Sequence, residues 1–387
     1  MLTKSDVICR VKEKANKTDA KIDKIEIYLV TTHYYKPFEI ATAISEKEDT
    51  IVYIIHTDGG TIGIGDGVVP KSQSKEELLQ RIDALSKKII KMPLKDVFEV
   101  YVEEFAKEDR YVKIPISLAL LDAISREAGL RFGNLFDKIC KEKVFTDVTV
   151  GIEPLGETLE DVKKALNQGF KAIKLKVGKG GASVDFERIK RVYEILPDDV
   201  ALRIDANQGW TFEQALEIVE KMKREEVYVD IIEQPFPRDK LSWFEKFRSI
   251  SEFPVIADES AMTSADLEKL QGKVDGVNLK LWKAGDPIEV YFTGRRAREL
   301  GMRVMIGCAG ETNIGITADT YLASIIPVDY ADLDSDLLKE DVVSQKATGI
   351  RSSFRILPKR SGLGIELVML SKISDKDLVA RITGQVI

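Results

Sequence analysis

The stretch from residue 201 to residue 235 reads ALRIDANQGWTFEQALEIVEKMKREEVYVDIIEQP and decides the fold. Its two ends, Leu202–Ala206 and Val229–Glu233, are short apolar runs, and the segment between them has the spacing of an amphipathic helix. A strand, a helix and a second strand in this order predict a pair of parallel strands with the helix packed on one face. Strands that are apolar on both faces are typical of such a covered parallel sheet.

The same unit recurs along the chain from about residue 147. Eight short apolar runs alternate with amphipathic helices, and markers near the strand ends lie 22 to 28 residues apart, about one βα unit each. Eight such units predict a closed (β/α)8 barrel, and an open doubly wound sheet is the alternative. The eight runs are Val148–Ile152, Ala172–Val177, Leu202–Ala206, Val229–Glu233, Val255–Asp258, Val277–Leu281, Val304–Gly307 and Tyr330–Leu333.

The segments outside the barrel predict a second domain. About 22 polar, Lys-rich residues at the start are interpreted as a loosely packed leader, and β-branched runs followed by helical patterns then predict an α+β domain within residues 1–145. The barrel is expected to span residues 146–361. The segment 362–387 is expected to begin with a strand and return to the first domain. The predicted fold class is α/β, a modified (β/α)8 TIM barrel with an N-terminal α+β capping domain completed by the C-terminal tail.

Composition excludes several functions. The chain has 58 Lys and Arg against 64 Asp and Glu, a net charge of −6 without a basic stripe, so nucleic acid is not an expected partner. No apolar run reaches the roughly 18 to 20 residues of a membrane span, and the start lacks the apolar middle of a signal peptide. With three unpaired cysteines as well, we expect a cytoplasmic protein. The two histidines, His33 and His56, precede the barrel, so acid/base chemistry there falls to other side chains.

Three carboxylates end three consecutive predicted strands. They are Asp205 in RIDAN, Glu233 in IIEQP and Asp258 in IADES. The carboxyl ends of barrel strands meet at the catalytic face, where these groups would repel one another unless a cation neutralised them. Carboxylate oxygens are the ligands of a hard divalent cation, and Mg²⁺ is the expected one. Each acid alone is equally well read as a loop residue or a helix cap.

Lysines follow the same rule. On strand two, the period-two geometry sends Lys174 and Lys176 into the barrel, and Lys280 on strand six lies four strands away, directly opposite. Two bases on opposite faces of one carbon are what inversion of a stereocentre requires, because one removes the α-proton and the other returns a proton from behind. The metal would stabilise the enediolate that forms next to a carboxylate. Read alone, the lysine pair is also compatible with surface lysines whose ends reach solvent.

A second acidic pair lies on or just past strand eight. Asp332 and Asp334 both face inward by the period-two argument, and they are expected to lie too far from the three metal ligands to join that site. They are candidates to hold a substrate ammonium group. A molecule with a carboxylate at one end and an amine at the other, spanning the barrel mouth, is the size of a dipeptide. The alternative is a solvated acidic loop.

In this order, the motifs resemble those of the enolase superfamily, in particular the dipeptide epimerases of its muconate lactonising subgroup (the L-Ala-D/L-Glu epimerase type). The resemblance covers nearly the whole chain after the leader and implies that Asp205, Glu233 and Asp258 bind Mg²⁺. It also implies that Lys176 and Lys280 are the acid/base pair and that Lys174 contacts the substrate carboxylate. The matching motifs are K-x-K at Lys174 and Lys176, D-A-N at Asp205, E-Q-P at Glu233, D-E-S at Asp258 and N-L-K at Lys280.

The resemblance also assigns the ends of the substrate. It implies that Asp332 and Asp334 bind the α-ammonium group, and that Thr149 and Cys308 touch the dipeptide. In such enzymes, loops of the capping domain select the substrate side chain, and here the segment is predicted to be HYYKPF at residues 33–38. Lys36 would pair with an acidic side chain, whereas the tyrosines suit apolar or cationic ones. An acidic or small dipeptide is favoured.

The expected function is therefore that of a Mg²⁺-dependent dipeptide epimerase. It would invert the α-carbon of the C-terminal residue by two-base 1,1-proton transfer through a metal-stabilised enediolate, acting on a small-molecule dipeptide as a homo-oligomer. An o-succinylbenzoate synthase or a muconate cycloisomerase-type enzyme is the first alternative, and its substrates lack the ammonium group that Asp332 and Asp334 would bind. A non-catalytic ligand-binding barrel is the second, which predicts missing ligands or bases, whereas all five are present.

Overall fold

The first part of the chain is built on an antiparallel sheet with helices packed against it. The computed structural model describes residues 2–370 and 372–383. Its elements up to residue 127 are α1 (Lys4–Ala15), β1 (Ile22–Ile40), β2 (Ala43–Thr57), β3 (Ile62–Val68), α2 (Lys75–Ile89), α3 (Leu94–Glu103) and α4 (Arg110–Glu127).

The start of the chain is a docked helix, so the expectation of a loosely packed leader is wrong. Thr3 caps α1, and its capping box with Asp6 is complete. Val7, Val11 and Ala15 follow one another at intervals of four residues, lie on one face and are fully buried. The Lys-rich remainder of the helix hides this narrow apolar stripe from a composition-based interpretation.

The strands β1 and β2 form a hairpin much longer than the predicted runs. Their pairing continues from Ile22 opposite Thr57 to Ile40 opposite Ala43, with an irregularity between His33 and Phe38. We call residues 33–48 the hairpin arm. This arm projects beyond the sheet and reaches the barrel mouth, where several of its side chains line the candidate site.

The barrel strands follow one another in space in the order of the sequence. This consecutive order confirms the predicted (β/α)8 barrel over the doubly wound alternative. Beside the first strand, the Asp147 amide donates a backbone hydrogen bond of 3.4 Å to the Ala331 carbonyl of the last strand, so the barrel is nearly closed. After the short β4 (Lys143–Phe145), the barrel strands are β5 (Val148–Val150), β6 (Ala172–Lys176), β7 (Ala201–Asp205), β8 (Ile231–Glu233), β9 (Val255–Ala257), β10 (Gly276–Leu279), β11 (Arg303–Gly307) and β12 (Tyr330–Asp332).

Helices cover the outside of the barrel. The described segments contain no helix that is both long and apolar enough to cross a membrane. The helices from residue 155 onward are α5 (Leu155–Asn167), α6 (Ala182–Tyr193), α7 (Phe212–Arg224), α8 (Leu241–Arg248), α9 (Leu267–Leu270), α10 (Leu281–Ala284), α11 (Pro287–Glu299), α12 (Asn313–Ile325) and α13 (Ser335–Leu338).

The last segments return to earlier parts of the chain. The strands β13 (Gly349–Arg351) and β14 (Phe354–Ile356) form a small antiparallel sheet with β4, and β15 (Leu378–Thr383) pairs with the beginning of β1. The capping sheet is therefore completed by a strand from the tail. The strand expected at the beginning of the segment 362–387 is not present, because residues 364–366 form no strand and a 3₁₀ turn follows at Leu367–Leu370. Residues 384–387 of the predicted tail lie outside the described residues.

Candidate active site

A cavity of about 220 Å³ lies between the carboxyl ends of the barrel strands and the hairpin arm. Most of the site residues predicted from the sequence are on its wall, so one space brings together groups from strands at opposite sides of the barrel. These wall residues are Thr149, Lys176, Asp258, Lys280, Cys308, Asp332 and Asp334.

Three buried carboxylates meet at one side of this cavity. One oxygen from each of Asp205, Glu233 and Asp258 lies within 4.8 Å of the others, and all three residues are at most 2% exposed. The chain bends sharply after two of them, since Asn207 and Gln234 have positive φ angles of 41° and 35°. A compact set of carboxylate oxygens fits Mg²⁺, whose preferred ligands are hard oxygen donors.

Each predicted catalytic lysine is hydrogen-bonded to one of these carboxylates. The Lys176 ammonium lies 2.6 Å from Asp205, and the Lys280 ammonium lies 2.6 Å from Asp258. Burial opposes ionisation of the two acids, but the neighbouring lysines outweigh it and hold the pKa of Asp205 and of Asp258 below the usual range. Asp205 and Asp258 are therefore ionised, as metal ligands must be, whereas burial and the neighbouring Asp205 raise the pKa of Glu233.

Lys174 lies below the cavity and joins its two acidic groups. Its ammonium is 2.6 Å from Asp332, 2.9 Å from Glu233 and 3.4 Å from Asp205, and its side chain is 1% exposed. Burial lowers the pKa of Lys174, but the surrounding carboxylates, Asp332 first, raise it well above the usual value. The metal ligands and the second acidic pair are thus separated by one ammonium group, a link that the sequence did not predict.

A further buried lysine was missed by the sequence analysis. The Lys283 ammonium donates to the Asp258 carboxylate at 2.6 Å, to the Asp258 carbonyl at 2.7 Å and to the Asn278 carbonyl. Lys280 and Lys283 are three residues apart at the start of α10, so both side chains reach the same carboxylate. The K-x-x-K spacing directly after a predicted strand could have identified Lys283 from the sequence.

The second acidic pair is held by polar groups from strand β5 and from the residue that follows strand β11. The Thr149 amide donates to Asp334, and the Thr149 hydroxyl donates to Asp332 at 3.2 Å. The Cys308 thiol lies 3.6 Å from Asp334, and burial raises its pKa well above the usual value, so it stays protonated. Burial and the neighbouring Asp332 raise the pKa of Asp334 to about 7. This end of the cavity is acidic and offers sites for a cation.

Lys36 does not have the position expected for a substrate contact. Its ammonium pairs with Glu153 and Asp161 on the outer side of the hairpin arm, and it does not line the cavity. The sequence places Lys36 on the correct loop, but the direction of an exposed side chain depends on the barrel residues that happen to face it. The arm instead presents Tyr34, Phe38 and Glu48 to the cavity.

Comparison with known proteins identifies relatives over nearly the whole chain. The family profile described as Enolase C-terminal domain-like matches residues 157–370. An L-Ala-D/L-Glu epimerase of Thermotoga maritima is 30% identical over 84% of this chain and 96% of its own length. A hydrophobic dipeptide epimerase of Enterococcus faecalis is 28% identical over 81% of this chain and 90% of its own length.

A solved structure of a dipeptide epimerase is also similar over nearly the whole chain. The dipeptide epimerase of Cytophaga hutchinsonii, complexed with Mg and the dipeptide D-Ala-L-Val, superposes with a TM-score of 0.82 at 27% identity, covering 94% of this chain and 99% of that one. At 27 to 30% identity, these relatives are an L-Ala-D/L-Glu epimerase, a hydrophobic dipeptide epimerase and a dipeptide epimerase complexed with D-Ala-L-Val. Overall identity therefore does not select the substrate side chain of this chain.

Proposed function

This chain belongs to the enolase C-terminal domain-like family, and we propose that it is a Mg²⁺-dependent dipeptide epimerase. One observation carries this proposal: Lys176 and Lys280 come from strands four positions apart and line one cavity, whose other end holds Asp332 and Asp334. A dipeptide presents a carboxylate, an α-carbon and an ammonium group in the matching order. The enzyme is thus an isomerase of the racemase and epimerase class.

The two lysines exchange the proton of the α-carbon in the second residue of the dipeptide. One of them, as a neutral amine, removes the proton from one face, and the other, as an ammonium, delivers a proton to the opposite face. The reverse reaction exchanges their roles. Asp205 and Asp258 orient the two amino groups through the hydrogen bonds described above. Mg²⁺ held by Asp205, Glu233 and Asp258 would supply positive charge that stabilises the negative charge developing on the substrate carboxylate.

The acidic pair fixes the other end of the substrate. Asp334 in its ionised form accepts hydrogen bonds from the α-ammonium group of the substrate. Thr149 and Cys308 hold the Asp334 carboxylate in place. Lys174 keeps Asp332 ionised, since the pKa of Asp332 lies below its usual range despite burial. Anchoring both ends sets the α-carbon between the two lysines.

Hydrogen exchange in deuterated water tests the proposal. The purified enzyme with Mg²⁺ is incubated with a dipeptide library, and deuterium at the α-carbon is followed by NMR and mass spectrometry. Incorporation into the second residue, with formation of the epimer, is expected, and the double variant Lys176→Ala/Lys280→Ala should show none. If no dipeptide incorporated deuterium at the α-carbon, the proposal would be wrong. Turnover of an o-succinylbenzoate precursor or of muconate in place of dipeptides would favour the related lyase or cycloisomerase.

We also propose a compartment, an oligomeric state and the limits of the domains. The three free cysteines, two of them exposed, suit a reducing compartment and support a cytoplasmic enzyme. A homo-oligomer is expected, and light scattering coupled to size-exclusion chromatography will measure it. The domain limits at residues 145/146 and 361/362 are likewise proposals, and the pairing of β15 with β1 supports the return of the last segment to the capping sheet. Limited proteolysis would test them.

A further inference from the structure

The charges on the cavity wall do not suit an acidic substrate side chain. The cationic residues on the wall are Lys176 and Lys280, and each is already bonded to a carboxylate of the metal site. Besides the acids with a proposed role, the wall carries Glu48 and Glu259. Lys36, which the sequence offered as a partner for an acidic side chain, points elsewhere. The wall therefore offers negative charge beyond what the metal and the ammonium group require.

Glu48 lies over the ammonium end of the cavity. A Cβ atom built on Gly310 would lie 3.6 Å from Glu48 Cγ and 3.7 Å from the Tyr34 hydroxyl oxygen. Gly310 comes two residues after Cys308, whose thiol contacts Asp334. A glycine with a φ of +85° at this point leaves room beneath Glu48 that a side chain would fill.

The Glu48 carboxylate makes no ion pair within 4 Å in residues 2–370 and 372–383, although other acids of the hairpin do. Asp49 pairs with Lys75, and Glu39 pairs with Lys179. Lys339 is near enough to feel the charge of Glu48, but its ammonium donates to the Gly310 carbonyl at 2.6 Å. Glu48 is thus a half-buried carboxylate that faces the cavity without a cation bound to it.

We propose that Glu48 selects dipeptides whose first residue has a cationic side chain, lysine or arginine. This inference rests on the proposed function, because it is the ammonium end at Asp334 that places the first residue beneath Glu48. Tyr34 and Phe38 stack with their ring centroids 5.7 Å apart and supply an aromatic wall along which the aliphatic stem of such a side chain packs. The cationic end of such a side chain gives up hydrogen bonds to water and donates a charge-assisted hydrogen bond to the Glu48 carboxylate instead.

The test compares side chains of matched size at one position. Values of kcat/KM are measured for epimerisation of L-Lys-L-Ala, L-norleucyl-L-Ala and L-Glu-L-Ala. We expect the lysine dipeptide to exceed the norleucine dipeptide about tenfold or more, as a charge-assisted hydrogen bond provides, and the glutamate dipeptide to be the poorest. Glu48→Gln should reduce the lysine-to-norleucine ratio about tenfold, and Glu48→Lys should make the glutamate dipeptide better than the lysine dipeptide. The matched control is Glu46→Gln, an exposed acid of the same arm that does not line the cavity, and it should leave the ratio unchanged.

Several results would overturn the inference. Equal kcat/KM for the lysine and norleucine dipeptides would do so, as would a preference that Glu48→Gln leaves intact. A preference for a cation only in the second residue, tested with L-Ala-L-Lys, would remove Glu48 from the first-residue site. Failure of the proposed function looks different, because then none of the three dipeptides would show α-deuterium.

Discussion

The two ends of the cavity are both built from buried carboxylates, yet they are electrostatically different. At the metal end, Asp205 and Asp258 are each bonded to a lysine, and their pKa values are lowered. At the amine end, Asp334 is held by an amide and a thiol, and its pKa is raised to about 7. Asp205 and Asp258 are thus held in their ionised state, although burial and Asp205 raise the pKa of Glu233 beside them, whereas the ionisation of Asp334 depends on pH and on its ligand.

The largest expected effect is at the metal end, where chemistry occurs. Lys176→Ala and Lys280→Ala should each lower kcat for epimerisation by about 10²- to 10⁴-fold, since each removes one of the two proton carriers. Lys171→Ala is the control, because this half-exposed lysine pairs with Asp199 just before strand β6 begins. Polarimetry of a pure dipeptide epimer measures the rates. Full turnover by either variant contradicts the two-base mechanism.

Removal of Lys283 should show how strongly the metal end depends on its lysines. Lys283→Met takes away the buried cation from Asp258 and from two carbonyls, and such a loss costs about 3–5 kcal/mol of the free energy of unfolding. Urea denaturation in EDTA measures the change. Lys269→Met, at an exposed pair with Asp266, should change stability by less than about 1 kcal/mol. Equal changes in the two variants would contradict a special role for Lys283.

Asp334→Asn should affect the amine end alone. Loss of a charge-assisted hydrogen bond is expected to raise KM for dipeptides about 10- to 100-fold, with Mg²⁺ affinity at the other end unchanged because Asp334 lies outside the cluster of Asp205, Glu233 and Asp258. Steady-state kinetics and metal titration on the same preparation separate the two effects. If metal affinity fell as much as KM rose, the two ends would not be independent.

The pH dependence of KM sharpens the comparison further. Asp334 binds an ammonium group in its ionised form, and burial together with Asp332 raises its pKa to about 7. As pH falls below about 7, Asp334 becomes protonated and KM should rise, approaching tenfold per pH unit. Asp334→Asn should abolish this dependence. A KM that stays constant from pH 8 to pH 5.5 would assign the ammonium group to another carboxylate.

The smallest effect is expected outside both ends, at Lys36. Lys36→Met removes a surface ion pair with Glu153 and Asp161, so the free energy of unfolding should change by less than about 1 kcal/mol. The ratio of kcat/KM for glutamate-containing over glutamine-containing dipeptides should change less than twofold. A larger loss of the glutamate substrate would restore Lys36 to the site.

The sequence predicts the barrel well because its signals are local. The period of two along a strand and the position of a charge at a strand end require no knowledge of distant residues, and the structure brings Lys176, Lys280, Asp332 and Asp334 onto the wall of one cavity. Their proposed roles in catalysis and binding stay predictions until the variants above are measured.

The features that the sequence did not predict depend on contacts between distant segments of the chain. The direction of Lys36 is set by Glu153 and Asp161, more than a hundred residues away. Lys174 is predicted to point inward, but its bridge to Asp332 and Glu233 depends on how strands β6, β8 and β12 are shifted relative to one another along the barrel axis. The sequence pattern does not give this shift. The docked helix α1 is missed because its three apolar residues are diluted among lysines.

The pairing of β15 with β1 has a consequence for biosynthesis. The strand at residues 378–383 is translated after every barrel strand, yet it completes the sheet whose hairpin arm covers the cavity, and Arg381 is bonded to Glu26 across 355 positions. A chain emerging from the ribosome therefore has all its barrel strands before the sheet that carries the lid of its active site is complete. The capping sheet is thus completed after the barrel strands, although its hairpin arm supplies part of the cavity wall.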